Sequence, residues 1–92
     1  MSKDQIIANK IAMVADLTDE AIPGFPLVEI VGDRRVLIER HLGVTEYNKE
    51  SISVKVKFGK ICVCGSGLTL IQMTKTKLVI QGMVFSVQIV RE

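Results

Sequence analysis

The sequence predicts an all-β fold: a small antiparallel sandwich of the immunoglobulin-like kind, or a partly open barrel, with about seven to eight short strands behind one amphipathic N-terminal helix. Three observations lead to this prediction. The chain has 92 residues, 48% hydrophobic and 24% charged, which suits one small globular domain. Turn residues recur at short intervals after residue 27, with apolar and polar side chains alternating between them. No helical pattern separates the predicted strands, which excludes an α/β fold with helical crossovers.

Residues 1–17 predict the helix. Ser2 followed by Gln5 forms a capping-box pattern, and Asp4 places a negative charge in the first turn, where the helix dipole favours it. An apolar stripe follows at helical spacing: Ile7, Ile11 and Val14. This stripe needs a surface to cover it, either in the same chain or on another molecule.

Two prolines end this leader. Pro23 and Pro26 restrict the backbone to extended or turn conformations and stop any helix. The sequence therefore predicts two parts: an N-terminal helix with its linker over residues 1–22, and an all-β domain over residues 23–92.

Eight segments of the domain have strand character. They are Leu27–Val31, Arg35–Arg40, Gly43–Tyr47, Ser51–Phe58, Ile61–Cys64, Leu68–Met73, Lys77–Gln81 and Met83–Val90. The fourth is the clearest, because its apolar residues alternate with Ser and Lys at the two-residue period of a half-buried strand. Gly65-Ser66-Gly67 predicts a turn between two strands. A short β-solenoid is the alternative fold, since Gly65 and Gly82 stand in similar contexts.

The last predicted strand is apolar along one side. Phe85, Val87 and Ile89 alternate there with Ser86 and Gln88. A long apolar strand at the edge of a sheet pairs readily with another chain. We therefore expect Phe85, Val87 and Ile89, together with the apolar stripe of the helix, to form the partner-binding surface.

Residues that support catalysis or metal binding are scarce. His41 is the only histidine, and no partner for it is evident, so a small hydrolase centred on His41 is the weakest functional hypothesis. Cys62 and Cys64 lie two apart on one predicted strand, where a mutual disulfide would break the extended backbone. Two thiols also cannot complete a tetrahedral zinc site. We assign no catalytic, cofactor-binding or metal-binding residue, and we expect no cofactor and no enzymatic activity.

The charges are unevenly distributed along the chain, although the net charge is only +2. Beyond residue 50 the only acidic side chain is Glu92. The basic side chains there include five lysines: Lys55, Lys57, Lys60, Lys75 and Lys77. A solvated sheet face is the simpler interpretation, and a surface for nucleic acid or another anionic polymer is the alternative. No apolar run reaches the length of a signal peptide or membrane span, so we expect a cytoplasmic location.

Three segments of the chain carry a resemblance to a known family. They are P-x-V-x-I-x-G-D-R-x-x-x-I-E from Pro26 to Glu39, H-x-G-V-x-E-Y from His41 to Tyr47, and G-x-I-x-V-x-G-x-x-L-x-L from Gly59 to Leu70, which closes with L-x-I-x-G at Leu78 to Gly82. In this order and spacing they resemble the YabP/YqfC family of sporulation proteins from endospore-forming bacteria, and the YqfC branch more closely. The resemblance covers about the last three quarters of the chain.

The resemblance implies a small all-β protein made during spore formation in the mother cell, without enzymatic activity and without established catalytic residues. It implies a role in the cortex or coat of the spore envelope, with self-association or a membrane-anchored sporulation protein as the partner. The expected location is cytoplasmic, peripheral to the forespore membrane. The first hypothesis is therefore a protein that acts by protein-protein interaction, and the second is an anionic-polymer-binding module that uses the five lysines.

Overall fold

The computed structural model describes residues 24–92 and contains six strands and no helix in that part of the chain. The strands are β1 (Leu27–Val31), β2 (Arg35–Glu39), β3 (Val44–Tyr47), β4 (Ser51–Val56), β5 (Gly59–Met73) and β6 (Lys77–Arg91). The all-β prediction is confirmed. The predicted N-terminal helix and the leader over residues 1–22 lie outside the described residues.

The prediction of seven to eight strands is wrong, because two predicted breaks lie inside continuous strands. Gly65-Ser66-Gly67 does not form a turn between strands but belongs to β5, which runs for 15 residues. Gly82 likewise lies inside β6, which is also 15 residues long. The local sequence signal is ambiguous at both places, because glycines mark a bend in a strand as readily as they mark its end.

The six strands form one antiparallel sheet in the order β1-β2-β6-β5-β4-β3. Every neighbouring pair is antiparallel, so the alternative of a β-solenoid is wrong. The prediction of a sandwich or a partly open barrel is also corrected: the six strands form one open antiparallel sheet.

The β5–β6 hairpin joins the two halves of this sheet. The first part of β5 pairs with β4, and the first part of β6 pairs with β2. Along the hairpin the β5–β6 register shifts three times, at Cys64/Gly65, at Ser66/Thr69 and at Leu70/Gln72. Extra residues in one strand bend it and increase its twist, so these shifts place the bend in the middle of the hairpin.

Two glycines allow the strands to approach closely at this bend. A Cβ atom on Gly65 would lie 2.0 Å from the carbonyl oxygen of Met83, and one on Gly82 would lie 2.7 Å from that of Gly67. Gly82 also has a φ of +151°, which L side chains rarely adopt. These positions therefore require glycine for geometric reasons, which explains their similar sequence contexts without a repeat.

The buried core draws on both halves of the sheet. It consists of ten apolar residues from β2, β4, β5 and β6: Val36, Ile38, Ile52, Val54, Val56, Ile61, Val63, Leu68, Leu78 and Ile80. The segment after β2 connects the halves, because the Arg40 amide donates to the Thr76 carbonyl and the Leu42 amide donates to the Lys55 carbonyl. Thr76 precedes β6 and Lys55 lies in β4, so the sheet folds over its own apolar face.

Candidate interaction surface

The outer edge of β6 is only partly used by the sheet. β2 pairs with β6 from Lys77 to Gln81, and the β1–β2 turn continues along it through Gly82 N–H to Arg34 O at 3.1 Å and Val84 N–H to Asp33 O at 2.7 Å. Within residues 24–92, no strand pairs with the outer side of β6 beyond Val84. We call this segment, residues 85–91, the β6 edge.

The backbone groups of the β6 edge can be assigned a direction. Glu92 N–H donates to Phe58 O at 2.9 Å, so residue 92 points toward β5. Because hydrogen-bonding groups alternate along an antiparallel strand, the amide and carbonyl groups of Val87, Ile89 and Arg91 point away from β5. These are the groups that a further strand would meet.

The side chains of the β6 edge are largely apolar and partly uncovered. Ile89 is directly opposite Ile61, yet Ile89 is 69% exposed whereas Ile61 is fully buried. Val87 is opposite Val63 and packs against the core from an intermediate position. Within residues 24–92, the hydrophobic face of the sheet thus reaches the β6 edge and ends there at the exposed Ile89.

Phe85 departs from the predicted alternation. Gly65 pairs with Val84 and Cys64 pairs with Ser86, which leaves Phe85 in a β-bulge with no partner on β5. Val84 and Val87 both pack against the core, so the inward-facing positions lie three residues apart here. The structure therefore brings Val87 and Ile89 together on one face, whereas Phe85 lies beside them at the bulge and is 67% exposed. Ile7, Ile11 and Val14, the other predicted contact residues, lie outside the described residues.

The five lysines do not form one uniform stripe. Lys55 and Lys60 are directly opposite one another on β4 and β5. The ammonium of Lys57 lies 5.6 Å from the ring centroid of Phe25, within the range of a cation–π contact. Lys77 is opposite Glu39 on β2, and Lys75 is exposed in the β5–β6 turn. Two of the five therefore have an aromatic or acidic neighbour.

Both ring nitrogens of His41 form hydrogen bonds with backbone groups. Its Nδ1 accepts the Gly43 amide at 3.0 Å, so Nε2 carries the hydrogen and donates to the Thr74 carbonyl at 2.8 Å. The side chain is buried, and both ring nitrogens are used to tie the segment after β2 to the β5–β6 turn. The His41 ring thus has no nitrogen left to act as a base in this arrangement.

Cys62 and Cys64 are free and half-buried on β5, where the Ser53 hydroxyl donates to the Cys62 Sγ at 3.5 Å.

In the part of the chain that the structure covers, no group of three or more His, Cys, Asp or Glu side chains is arranged to hold a metal ion. That same part contains no helix that could cross a membrane.

Sequence reasoning missed the backbone of the β6 edge and the role of Arg91. Arg91 lies with its guanidinium carbon 5.3 Å from the Phe58 ring centroid, and Phe58 in turn packs edge-on against Phe25 at 5.8 Å between ring centroids. No local signal could have revealed which half of β6 is paired on its outer side, because that depends on where β2 lies.

A sequence model of the YabP family matches residues 26–92. The chain belongs to the YabP family. The searches of the curated proteins and of the solved structures found no match. The matched region begins one residue before β1 and includes the whole six-stranded sheet. Family membership confirms the resemblance predicted from the three sequence segments and implies a sporulation-associated protein.

Proposed function

We propose that this YabP-family chain is a non-enzymatic component of spore-envelope development that acts by binding other protein chains. The β6 edge carries the proposal, because Ile89 is 69% exposed directly beside a closed hydrophobic core. Outward-pointing backbone groups and uncovered apolar side chains together suit the addition of a β-strand from another chain. The implied setting is the cytoplasmic side of the forespore membrane in the mother cell, where a membrane-anchored sporulation protein would be a partner.

The chemistry of the described residues supports an interaction role rather than catalysis. Both ring nitrogens of His41 are engaged by backbone groups. Nucleophilic catalysis needs a nucleophile, a base and an orienting group within hydrogen-bond reach of one another. The two hydrogen bonds of the His41 ring go to backbone groups and not to a nucleophilic or orienting side chain.

The proposal is tested by complementation in a sporulating bacterium that lacks this chain. The variant carries Phe85→Asp and Ile89→Asp, which place charges on the exposed side chains of the β6 edge. A matched control carries Ile30→Asp and Val31→Asp on β1, where the two side chains are 55% and 56% exposed. We expect the wild-type chain and the β1 variant to restore heat-resistant spores, and the β6 variant to fail although circular dichroism shows an intact sheet. Full restoration by a folded β6 variant would contradict the proposal.

The anionic-polymer alternative is tested separately. The directly opposed Lys55 and Lys60 are the observation that favours it, since two like charges face each other across a strand pair. A surface that neutralises several phosphates must lose affinity steeply with salt, with a logarithmic slope of about −0.9 per neutralised phosphate of duplex DNA. We expect no such slope for binding to random duplex or single-stranded DNA. A steep slope that Lys55→Gln and Lys60→Gln abolish would favour the alternative.

A further inference from the structure

The β6 edge is a strand edge that no neighbouring strand of the described sheet covers. Its residues between Phe85 and Val90 carry no charge, and no proline interrupts them. Proteins usually protect exposed strand edges with charged side chains, prolines, bulges or very short strands, because an unprotected edge pairs with other chains. In the β6 edge these devices occur only at the two ends, as the bulge at Phe85 and the charge of Arg91, so the stretch between them is suited to an occupant.

The two outermost strands of the sheet, β1 and β3, carry such devices at their centres. β1 has Glu29 at the centre of its five residues. β3 is only four residues long, contains Glu46 and has a register shift between Val44 and Glu46. Self-pairing of β1 about its centre would oppose two like charges, which destabilises a strand pair.

From this contrast we infer that the β6 edge pairs with the β6 edge of a second copy of the chain, antiparallel and about a two-fold axis at Ile89. This inference rests on the proposed function and names the partner at the same surface. A two-fold axis makes an isologous interface, in which each residue faces its counterpart in the other copy symmetrically.

The register follows from the backbone directions. An axis at Ile89 pairs Ile89 with itself and pairs Val87 with Arg91 of the second copy, so every residue used has outward-pointing amide and carbonyl groups. An axis at Val87 would instead bring in the bulge at Phe85 and the region of Val84, whose amide already donates to Asp33 O. The geometry therefore favours Ile89 as the centre.

The side chains are compatible with this register. Ile89 meets its own copy, and Gln88 meets Val90. The Arg91 guanidinium lies opposite Val87 and away from the axis, so the two arginines do not oppose one another. Pairing would extend the apolar face that ends at the exposed Ile89, and it would cover that side chain in both copies.

The test measures the molar mass of the purified full chain by light scattering coupled to size exclusion, over a range of concentrations. We expect the wild-type chain to reach twice its 10.2 kDa mass. Ile89→Lys should give a monomer, because it opposes two ammonium groups at the axis, whereas the matched Ile30→Lys variant on β1 should remain a dimer. A wild-type chain that stays monomeric throughout, or a dimer that Ile30→Lys abolishes and Ile89→Lys does not, would overturn the inference.

A cross-link tests the register. Ile89→Cys and Ile30→Cys are compared in a chain that also carries Cys62→Ser and Cys64→Ser, so that each protein has one thiol. Mild oxidation should join two copies through position 89 and not through position 30. A dimer that is not cross-linked at 89 would overturn the two-fold register.

The result is distinguishable from that of the complementation test. A monomeric wild-type chain overturns the inference but leaves the β6 edge available to a different protein. Sporulation that is independent of the β6 edge overturns the proposed function, whether or not the chain dimerises.

Discussion

His41 shows how a single residue can have chemistry that its sequence context does not reveal. The histidine follows Arg40, which has a φ of +62° and so turns the chain sharply at the end of β2. This turn directs the ring inward, where it bonds the Gly43 amide and the Thr74 carbonyl. The only histidine of the chain therefore connects two segments that are 33 residues apart.

Replacing His41 should therefore lower stability. Because His41→Ala leaves the Thr74 carbonyl and the Gly43 amide without their partner, we expect the free energy of unfolding to fall by about 2–4 kcal/mol. Urea denaturation followed by circular dichroism measures this change. Leu42→Ala is the control, since Leu42 is 62% exposed and its loss should change stability by less than about 0.5 kcal/mol. Equal stability losses in the two variants would show that the His41 contacts contribute nothing.

At the scale of the elements, the β5–β6 hairpin determines how the other strands are arranged, because β2 and β4 pair with different parts of it. Two strands of 15 residues would reach far beyond the other strands if they were straight. The register shifts and the close approach at Gly65 and Gly82 bend them instead, and each half of the hairpin pairs with a different strand. Within residues 24–92 the same arrangement leaves the outer side of the second half of β6 without a paired strand, so the bend also creates the β6 edge.

A methyl group at the bend should therefore be costly. In Gly65→Ala the new Cβ would lie 2.0 Å from the Met83 carbonyl oxygen, so the two strands must separate. We expect a loss of more than about 2 kcal/mol in the free energy of unfolding, in the range of steric overpacking.

The control for this prediction is Gly32→Ala. A Cβ on Gly32 would have no neighbouring atom within 4 Å, and only the φ of +56° at this position opposes an L side chain. That conformation costs about 1–2 kcal/mol for a residue with a Cβ. Thermal or urea unfolding of both variants compares the two effects, and a Gly65→Ala variant no less stable than Gly32→Ala would contradict the close approach.

At the scale of the whole molecule, a few contacts between distant segments hold the open sheet folded over its core. The Leu70 amide donates to the Tyr47 hydroxyl at 3.0 Å, which connects β3 at one end of the sheet order to the second half of β5. The β3–β4 turn adds two backbone bonds, from Gly65 N–H to Glu50 O and from Leu68 N–H to Lys49 O. These contacts enclose the core that β2 and β4 share.

Tyr47→Phe removes one of these contacts and keeps the ring. We expect a loss of about 0.5–1.5 kcal/mol in stability, as for a single hydrogen bond. Amide hydrogen exchange gives the sharper readout: the Leu70 amide should exchange faster. The Val84 amide, which donates to Asp33 O, should keep its rate. An unchanged rate at Leu70 would show that the Tyr47 hydroxyl does not protect this amide.

Local patterns in the sequence were sufficient for the strand class and for most strand positions. The alternation around Ile52 and Val54 predicted a half-buried strand, and both side chains are fully buried in β4. Residues 32–34 and 48–50, which separate predicted strand segments, also separate strands in the structure. These features depend on neighbours within a few residues, which explains why composition and period reveal them.

Local patterns could not predict that β5 and β6 are continuous, that Phe85 lies in a bulge, or that only the second half of β6 forms an edge. Each depends on which distant strand lies alongside, and a glycine such as Gly65 looks the same in a turn and in a bend. Ile61 and Ile89 make the point most directly, because both are isoleucines in alternating strands and only one is buried. Which strands become neighbours depends on contacts between residues far apart in the chain. Those contacts form only once the sheet has folded over its core, so a local pattern does not contain them.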